Sequence, residues 1–156
     1  SFALPDGLNN LTPVTHDLLN SGVYVVPSGK NLYVKTLTCS PDHRGGTQPG
    51  AGGTMINNIQ FWWPGCGQTY SEDLLLGENM TLAYRPGYHT GYGCANEQCD
   101  FSGFLVNKTV EVHYSANPLI VPANKYFVLY NNSNVPDILF SGSTIPSKTL
   151  GFFLNI

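Results

Sequence analysis

The chain has 156 residues, enough for one domain with a sizeable core, and only 11% of them are charged, against roughly 25% in an ordinary soluble domain. Seven Lys and Arg against ten Asp and Glu leave a net charge of −3, and no basic run could follow a phosphate backbone or an anionic bilayer surface. No apolar stretch approaches the ~20 residues of a membrane span, so neither nucleic acid nor membrane insertion is expected.

Residues 1–22 carry Leu, Phe and Val at irregular spacing, broken by Pro5, Gly7, Pro13 and Gly22. That pattern predicts an extended N-terminal tail rather than a helix, followed by one domain over 23–156. The first residue is Ser1 and no segment with a basic start and apolar core precedes the fold, as in a processed chain or a piece of a longer one. Such a tail has two uses. It lies along its own sheet as an edge strand, or it docks on a neighbouring copy by strand addition, with Phe2, Leu4, Leu8, Leu11 and Val14 as candidate anchors.

Two stretches further on are near copies. Tyr24 to Val34 (YVVPSGKNLYV) returns roughly ninety residues later as Leu119 to Leu129 (LIVPANKYFVL). In both, an apolar run meets Pro, turn-forming residues and Lys, and a second apolar run follows. Pro27 and Pro122 suit turn position i+1, and Gly29 and Asn124 suit the left-handed position after it, so each stretch is predicted to be a β-hairpin. Thr144 to Leu150 (TIPSKTL) is a shorter relative.

Asn31 to Cys39 alternates as a half-buried strand does, Leu32, Val34, Thr36 and Thr38 against Tyr33, Lys35, Leu37 and Cys39. Ser40 to Gly53 is a long Gly- and Pro-rich loop, and Met55 to Trp63 returns to strand character. A hairpin turning at Gly77-Glu78-Asn79 is predicted next, with Met80 to Tyr84 returning. Arg85 to Asp100 is a second long loop. Strands resume over Phe101 to Tyr114, Lys125 to Tyr130, Ile138 to Phe140 and Gly151 to Ile156, the last with Phe152, Leu154 and Ile156 as its predicted buried face. About eight to ten short strands at this spacing predict an all-β antiparallel sandwich, most plausibly a jelly roll.

Four cysteines, Cys39, Cys66, Cys94 and Cys99, form an even set in a low-charge chain, which favours disulfides and an extracellular setting. The spacing of Cys94 and Cys99 is C-x4-C rather than C-x2-C and no second close pair follows, which does not suit zinc. Of the three possible connectivities, Cys39–Cys66 with Cys94–Cys99 is favoured. Asn10, Asn79, Asn107 and Asn131 head Asn-x-Ser/Thr sequons and are candidate glycosylation sites.

No nucleophile elbow, zinc-protease helix, phosphate loop or dinucleotide fingerprint occurs, and His16, His43, His89 and His113 are scattered. No catalysis, metal or cofactor is expected. The region most like a binding site is the second long loop. Tyr84, Tyr88 and Tyr92 recur there at four-residue intervals beside His89 and Asn96, and Trp62 and Trp63 could add a platform for the apolar face of a sugar.

The segments VPSGKNLYV, LIVPANKYFVLY and TIPSKTLGFFLNI resemble the sandwich modules of viral head fibres, spikes and receptor-binding tail proteins. That resemblance implies a non-enzymatic, usually oligomeric surface protein that assembles or adheres. The four cysteines depart from the low-cysteine pattern of phage fibres and point equally to a secreted fibre or pilus-like subunit. Assembly with identical copies is the leading expectation, and a lectin-like carbohydrate-binding module the alternative.

Overall fold

A computed structural model describes residues 11–40, 52–72, 74–86, 97–129 and 137–156. Fifteen strands and no helix occur among them: β1 Thr12–Asp17, β2 Tyr24–Val25, β3 Lys30–Ser40, β4 Gly53–Ile56, β5 Ile59–Trp62, β6 Gln68–Thr69, β7 Leu74–Leu76, β8 Thr81–Arg85, β9 Gln98–Asn107, β10 Glu111–His113, β11 Leu119–Ile120, β12 Lys125–Leu129, β13 Ile138–Leu139, β14 Thr144–Ile145 and β15 Gly151–Asn155. All pairings are antiparallel. One sheet runs β1-β9-β3-β6, with β7 also on β3; a second runs β2-β8-β4-β5, a third β10-β15-β12-β13, and β11 pairs with β14 alone. The expected all-β sandwich class is what the chain adopts. More strands occur than the spacing predicted, because several are two-residue pairings at sheet corners.

Those corners are where the three related turns sit. Lys30 N–H donates to Pro27 O and Lys125 N–H to Pro122 O, closing both turns. Gly29, Asn124 and Lys148, each the second residue after Pro, have φ of 75°, 61° and 56°. The residue before each Pro is buried: Val26, Val121 and Ile145. The turn chemistry is as predicted, but the hairpins are not. β2 pairs with β8 and β3 with β9, while β11 pairs with β14 and β12 with β15. Pro holds φ near −65° and lacks a ladder donor, so each turn carries the chain from one sheet to another instead of folding it onto itself. The turn at Gly77-Glu78-Asn79 is likewise a corner, since β7 pairs with β3 and β8 with β2.

The corners belong to a five-strand module that occurs twice. The first copy is β2, β3, β7, β8 and β9; the second is β11 to β15. The registers match pair for pair. Val25 faces Thr81 as Ile120 faces Thr144; Leu32 faces Leu76 as Phe127 faces Leu139; Lys30 faces Asn107 as Lys125 faces Asn155. The tie-points match too. Val26 donates to Met80 O and accepts from Asn79 N–H, as Val121 donates to Ser143 O and accepts from Gly142 N–H. Gly29 O accepts from Lys108 N–H as Asn124 O accepts from Ile156 N–H. Gly103 and Gly151 are equivalent, and a Cβ on either would fall 2.1 Å from Tyr33 O or 2.3 Å from Val128 O.

Each module buries one face. The larger core gathers Leu32, Val34, Leu37, Leu74, Leu76, Leu82 and Phe101, and the smaller one Val121, Phe127, Leu129, Leu139, Ile145 and Phe153. Full burial of each such side chain contributes about 1.5–3 kcal/mol. Two sequence expectations fail here. A bulge between Val34 and Thr36 shifts the register of β3, so Leu32 and Val34 but then Leu37 and Cys39 face the core. On β15 the buried residue is Phe153; Leu154 and Ile156 are exposed by 41% and 69%.

Of the predicted N-terminal tail, residues 11–22 are described. β1 runs along β9 over its whole length, from Thr12 opposite Leu105 to Asp17 opposite Asp100. Thr12–Asp17 is thus an edge strand of its own chain.

Candidate functional site

The first module is much longer than the second because β4, β5, β6 and the two long loops are inserted within it. Elaborations on a repeated frame are where recognition groups tend to sit, and these strands carry an aromatic cluster. Phe61 and Trp62 end β5 and lean on Tyr70, with ring centroids 5.3 and 5.4 Å away, and Phe61 meets Tyr114 edge-on at 5.9 Å. Polar links lock the cluster from behind. Arg85 Nη1 donates to Gln60 Oε1 at 3.0 Å, Gln60 Nε2 to Trp62 O at 2.9 Å, and Tyr114 OH to Gln60 O at 3.1 Å. Burial, with the nearby Tyr70 phenol, raises the pKa of Tyr114, so its hydroxyl stays a donor.

The predicted tryptophan platform divides. Trp62 packs inward against Tyr70, and Trp63 is 55% exposed. Tyr84 donates its hydroxyl to Glu97 Oε1 at the base of the second loop, which orients the ring and occupies the carboxylate. Tyr88, His89, Tyr92 and Asn96 lie outside the described residues.

A groove of about 340 Å³ that the sequence did not suggest lies on the outer face of β1, β9 and β3, lined by Thr15, His16, Asp17, Thr36, Asp100, Phe101 and Ser102. Its polar groups are largely committed. The Asp17 carboxylate accepts from Leu19 N–H, Asn20 N–H and Asn20 Nδ2, and these bonds, the Asn20 side chain foremost, hold its pKa low. His16 Nε2 donates to Gly22 O at 2.8 Å, and Thr36 and Ser102 share a hydrogen bond. Among the described residues no three His, Cys, Asp or Glu side chains are grouped to hold a metal ion.

Among the described residues, a group of exposed apolar side chains lies on the second module. Ile138, Phe140, Leu154 and Ile156 are 46%, 62%, 41% and 69% exposed. Tyr126 joins them, its ring 5.4 Å from Phe140 and its Cα opposite Leu154. In the first module the equivalent face is covered. Leu75 and Val106, which match Ile138 and Leu154, are only 8% and 6% exposed, and Asn31, which matches Tyr126, is 1% exposed. The chain just after β9 provides that cover: Asn31 Nδ2 donates to Val110 O, and a Cβ on Gly77 would lie 3.0 Å from Val112 Cβ. Among the described residues nothing does the same for the second module. The alternation of Leu154 and Ile156 was visible in sequence but was assigned to the core, while Ile138 to Phe140 was read only as a strand.

Of the proposed assembly anchors, Leu11 is half-buried and Val14 packs on the larger core of its own chain; Phe2, Leu4 and Leu8 lie outside the described residues. The sequon residues Asn79 and Asn107 are exposed, Asn79 at a left-handed turn position with φ 64° and Asn107 accepting from Lys30 Nζ. Asn10 and Asn131 lie outside the described residues.

The favoured disulfide pairing is corrected. Cys66 is disulfide-bonded, but Cys39 is a free, buried cysteine and so is Cys99. Neither Cys39–Cys66 nor Cys94–Cys99 therefore forms, because β3 places Cys39 on the core face opposite Cys99 of β9, whereas Cys66 is at the exposed surface before β6. Cys94 lies outside the described residues. Compared with protein-family models, with curated proteins and with solved structures, the chain finds no match.

Proposed function

We propose that this chain is a non-enzymatic structural and adhesive subunit of an extracellular surface assembly, a filament, pilus-like fibre or virion fibre, that packs against identical copies of itself on a jelly-roll-like frame. The carrying observation is the uncovered apolar strip of Tyr126, Ile138, Phe140, Leu154 and Ile156. Contiguous apolar exposure of this kind marks a protein-binding face, and the first module offers a template for its cover in the buried equivalents under Val110 and Val112. A second copy is the occupant chosen because the strip holds no charged side chain, and a chain with 11% charged residues and net −3 repels its copies little. The Cys66 disulfide and the exposed sequons at Asn79 and Asn107 support an oxidising, extracellular setting. Donation of the N-terminal tail remains a mode for residues preceding β1 only, since Thr12–Asp17 is paired within its own chain.

Sedimentation velocity over a wide concentration range tests this reading. Self-association that Ile138→Lys and Leu154→Lys abolish, with the far-ultraviolet spectrum unchanged, is the expected result. A chain that stays monomeric at every concentration, or associates equally well with both lysines in place, overturns it. One observation favours a second reading, a lectin-like module: the exposed Trp63 directly follows the inserted strand β5, whose Trp62 faces Thr54, which in turn faces Tyr84. A glycan panel bound by the parent but not by Trp63→Ala would carry that reading, and a panel with no binders would remove it.

A further inference from the structure

Cys39 and Cys99 face each other across the two longest strands of the fold, β3 and β9. Which kind of facing pair they form follows from where their backbone groups go. Cys99 O accepts from Leu18 and Leu19 N–H, on the β1 side of β9. Tyr70 N–H donates to Leu37 O on the β6 side of β3, and Cys39, two residues on and opposite Gln68, turns its own backbone the same way. Neither cysteine therefore spends a ladder hydrogen bond on the other, and they form a non-hydrogen-bonded pair. In such pairs the Cα atoms are about 4.5 Å apart and the side chains approach more closely than at hydrogen-bonded positions. A disulfide needs Cα atoms about 4.4–6.8 Å apart and Cβ atoms about 3.5–4.5 Å apart. Both side chains belong to the larger core with 0% exposure.

We propose that Cys39 and Cys99 are a cross-link site, joined in the mature protein by a disulfide that staples β3 to β9. The oxidant is a disulfide of the compartment in which the chain folds, either low-molecular-weight or carried by an oxidoreductase. The thiolate of one cysteine attacks a sulfur of that disulfide and expels one thiolate. The thiolate of the other cysteine then attacks the mixed disulfide and expels the second. The protein dithiol loses two protons and two electrons overall, and the oxidant takes up both and leaves as two thiols. Timing follows from burial. The hydrogen bond from Cys39 and the loss of water raise the pKa of Cys99 in the folded chain, which suppresses the attacking thiolate. The exchange therefore belongs to folding, before the larger core closes over the pair. Once formed, the bond is shielded from reductants by the same burial. In the folded chain Cys66 is bonded elsewhere, so it is not the partner of either cysteine there.

This cross-link does not depend on the assembly reading, and its test leaves that reading untouched. The reduced chain is refolded in a buffer of oxidised and reduced glutathione, alkylated under denaturing conditions, and digested without reduction for mass mapping. The expected result is a linked pair of peptides holding Cys39 and Cys99, lighter than their sum by two hydrogens, with neither cysteine alkylated. Alkylation of both, or a link from either to another cysteine, overturns the proposal. A second measurement uses Cys39→Val with Cys99→Val, which keeps the core filled and Cys66 intact. Closing a loop of this length shifts the unfolding equilibrium by about a thousandfold, so the unfolding constant from urea titration, extrapolated to water, should be lower by about that factor in the oxidised parent than in the valine variant. Equal urea resistance of the two would also overturn it.

Discussion

Replacing Gly103 by Ala tests the close approach of β3 and β9 and, through it, the repeated module. A Cβ at Gly103 would lie 2.1 Å from the carbonyl oxygen of Tyr33, where ordinary contact begins at 3.4 Å, a shortfall of about 1.3 Å. The obstacle is backbone, so no rotamer change relieves it, and the strands must separate next to the bulge at Val34/Thr36. Overpacking of this kind costs about 1–3 kcal/mol, and loosening one or two ladder hydrogen bonds adds about 0.5–1.5 kcal/mol each. The sum is about 1.5–6 kcal/mol, a large part of the roughly 5–15 kcal/mol that holds a domain folded. In a chain of this size each kcal/mol moves the Tm by about 2–4 °C, so a fall of about 3–24 °C is expected. Urea unfolding followed by the fluorescence of Trp62 and Trp63 gives the free energy directly. Gly151→Ala should behave alike, since its Cβ would lie 2.3 Å from Val128 O and 2.5 Å from the Phe127 ring. Gly29→Ala is the control: nothing lies within 4 Å and only its φ of +75° opposes a side chain, a cost of about 1–2 kcal/mol. A Gly103→Ala protein within about 0.5 kcal/mol of the parent would refute the reasoning.

Gly29→Asn should cost less than Gly29→Ala, because Asn124 occupies the matching position with φ 61° and Asn tolerates the left-handed region; equal losses by urea titration would contradict the equivalence of the two corners. His113 packs against the Phe127 and Phe153 rings, 6.0 and 5.8 Å away, and burial lowers its pKa below 6.5 despite the opposing Glu111 charge. The unfolded chain therefore takes up the proton first, so stability is full above about pH 6.5 and falls as pH drops towards the folded value. His113→Gln should flatten that fall, and an unchanged slope over the same window would count against it. The Glu78 carboxylate, held low by Lys108 and Gly29 N–H, acts in a separate and lower window, its contribution being present above 4.5 and lost as pH falls through its folded value. Deleting residues 151–156 removes β15 from between β10 and β12, and the smaller core should fail to form; retention of a cooperative transition matching the parent would show otherwise.

What the sequence by itself determined was local. Pro27, Gly29, Pro122 and Asn124 announce turns because φ is set within a residue by sterics, and the short alternating runs with no helical period announce an all-β chain. Part of the repeat was equally legible, in the two VP turns, and more was available in GFLVN at 103–107 and GFFLN at 151–155. Partners were not legible. β2 and β3 are neighbours in sequence yet lie in different sheets, since pairing depends on which distant strand completes a face. The bulge at Lys35 reversed the alternation of β3, and the covering segment at Val110–Val112 decided that Leu75 and Val106 are buried while their equivalents Ile138 and Leu154 stay exposed. The same holds for Cys39, whose partner across the ladder is Cys99 rather than Cys66. Backbone torsions are read residue by residue, but burial and pairing are properties of surfaces that meet only when the chain is folded, so the candidate interface and the cross-link became visible only in the tertiary structure.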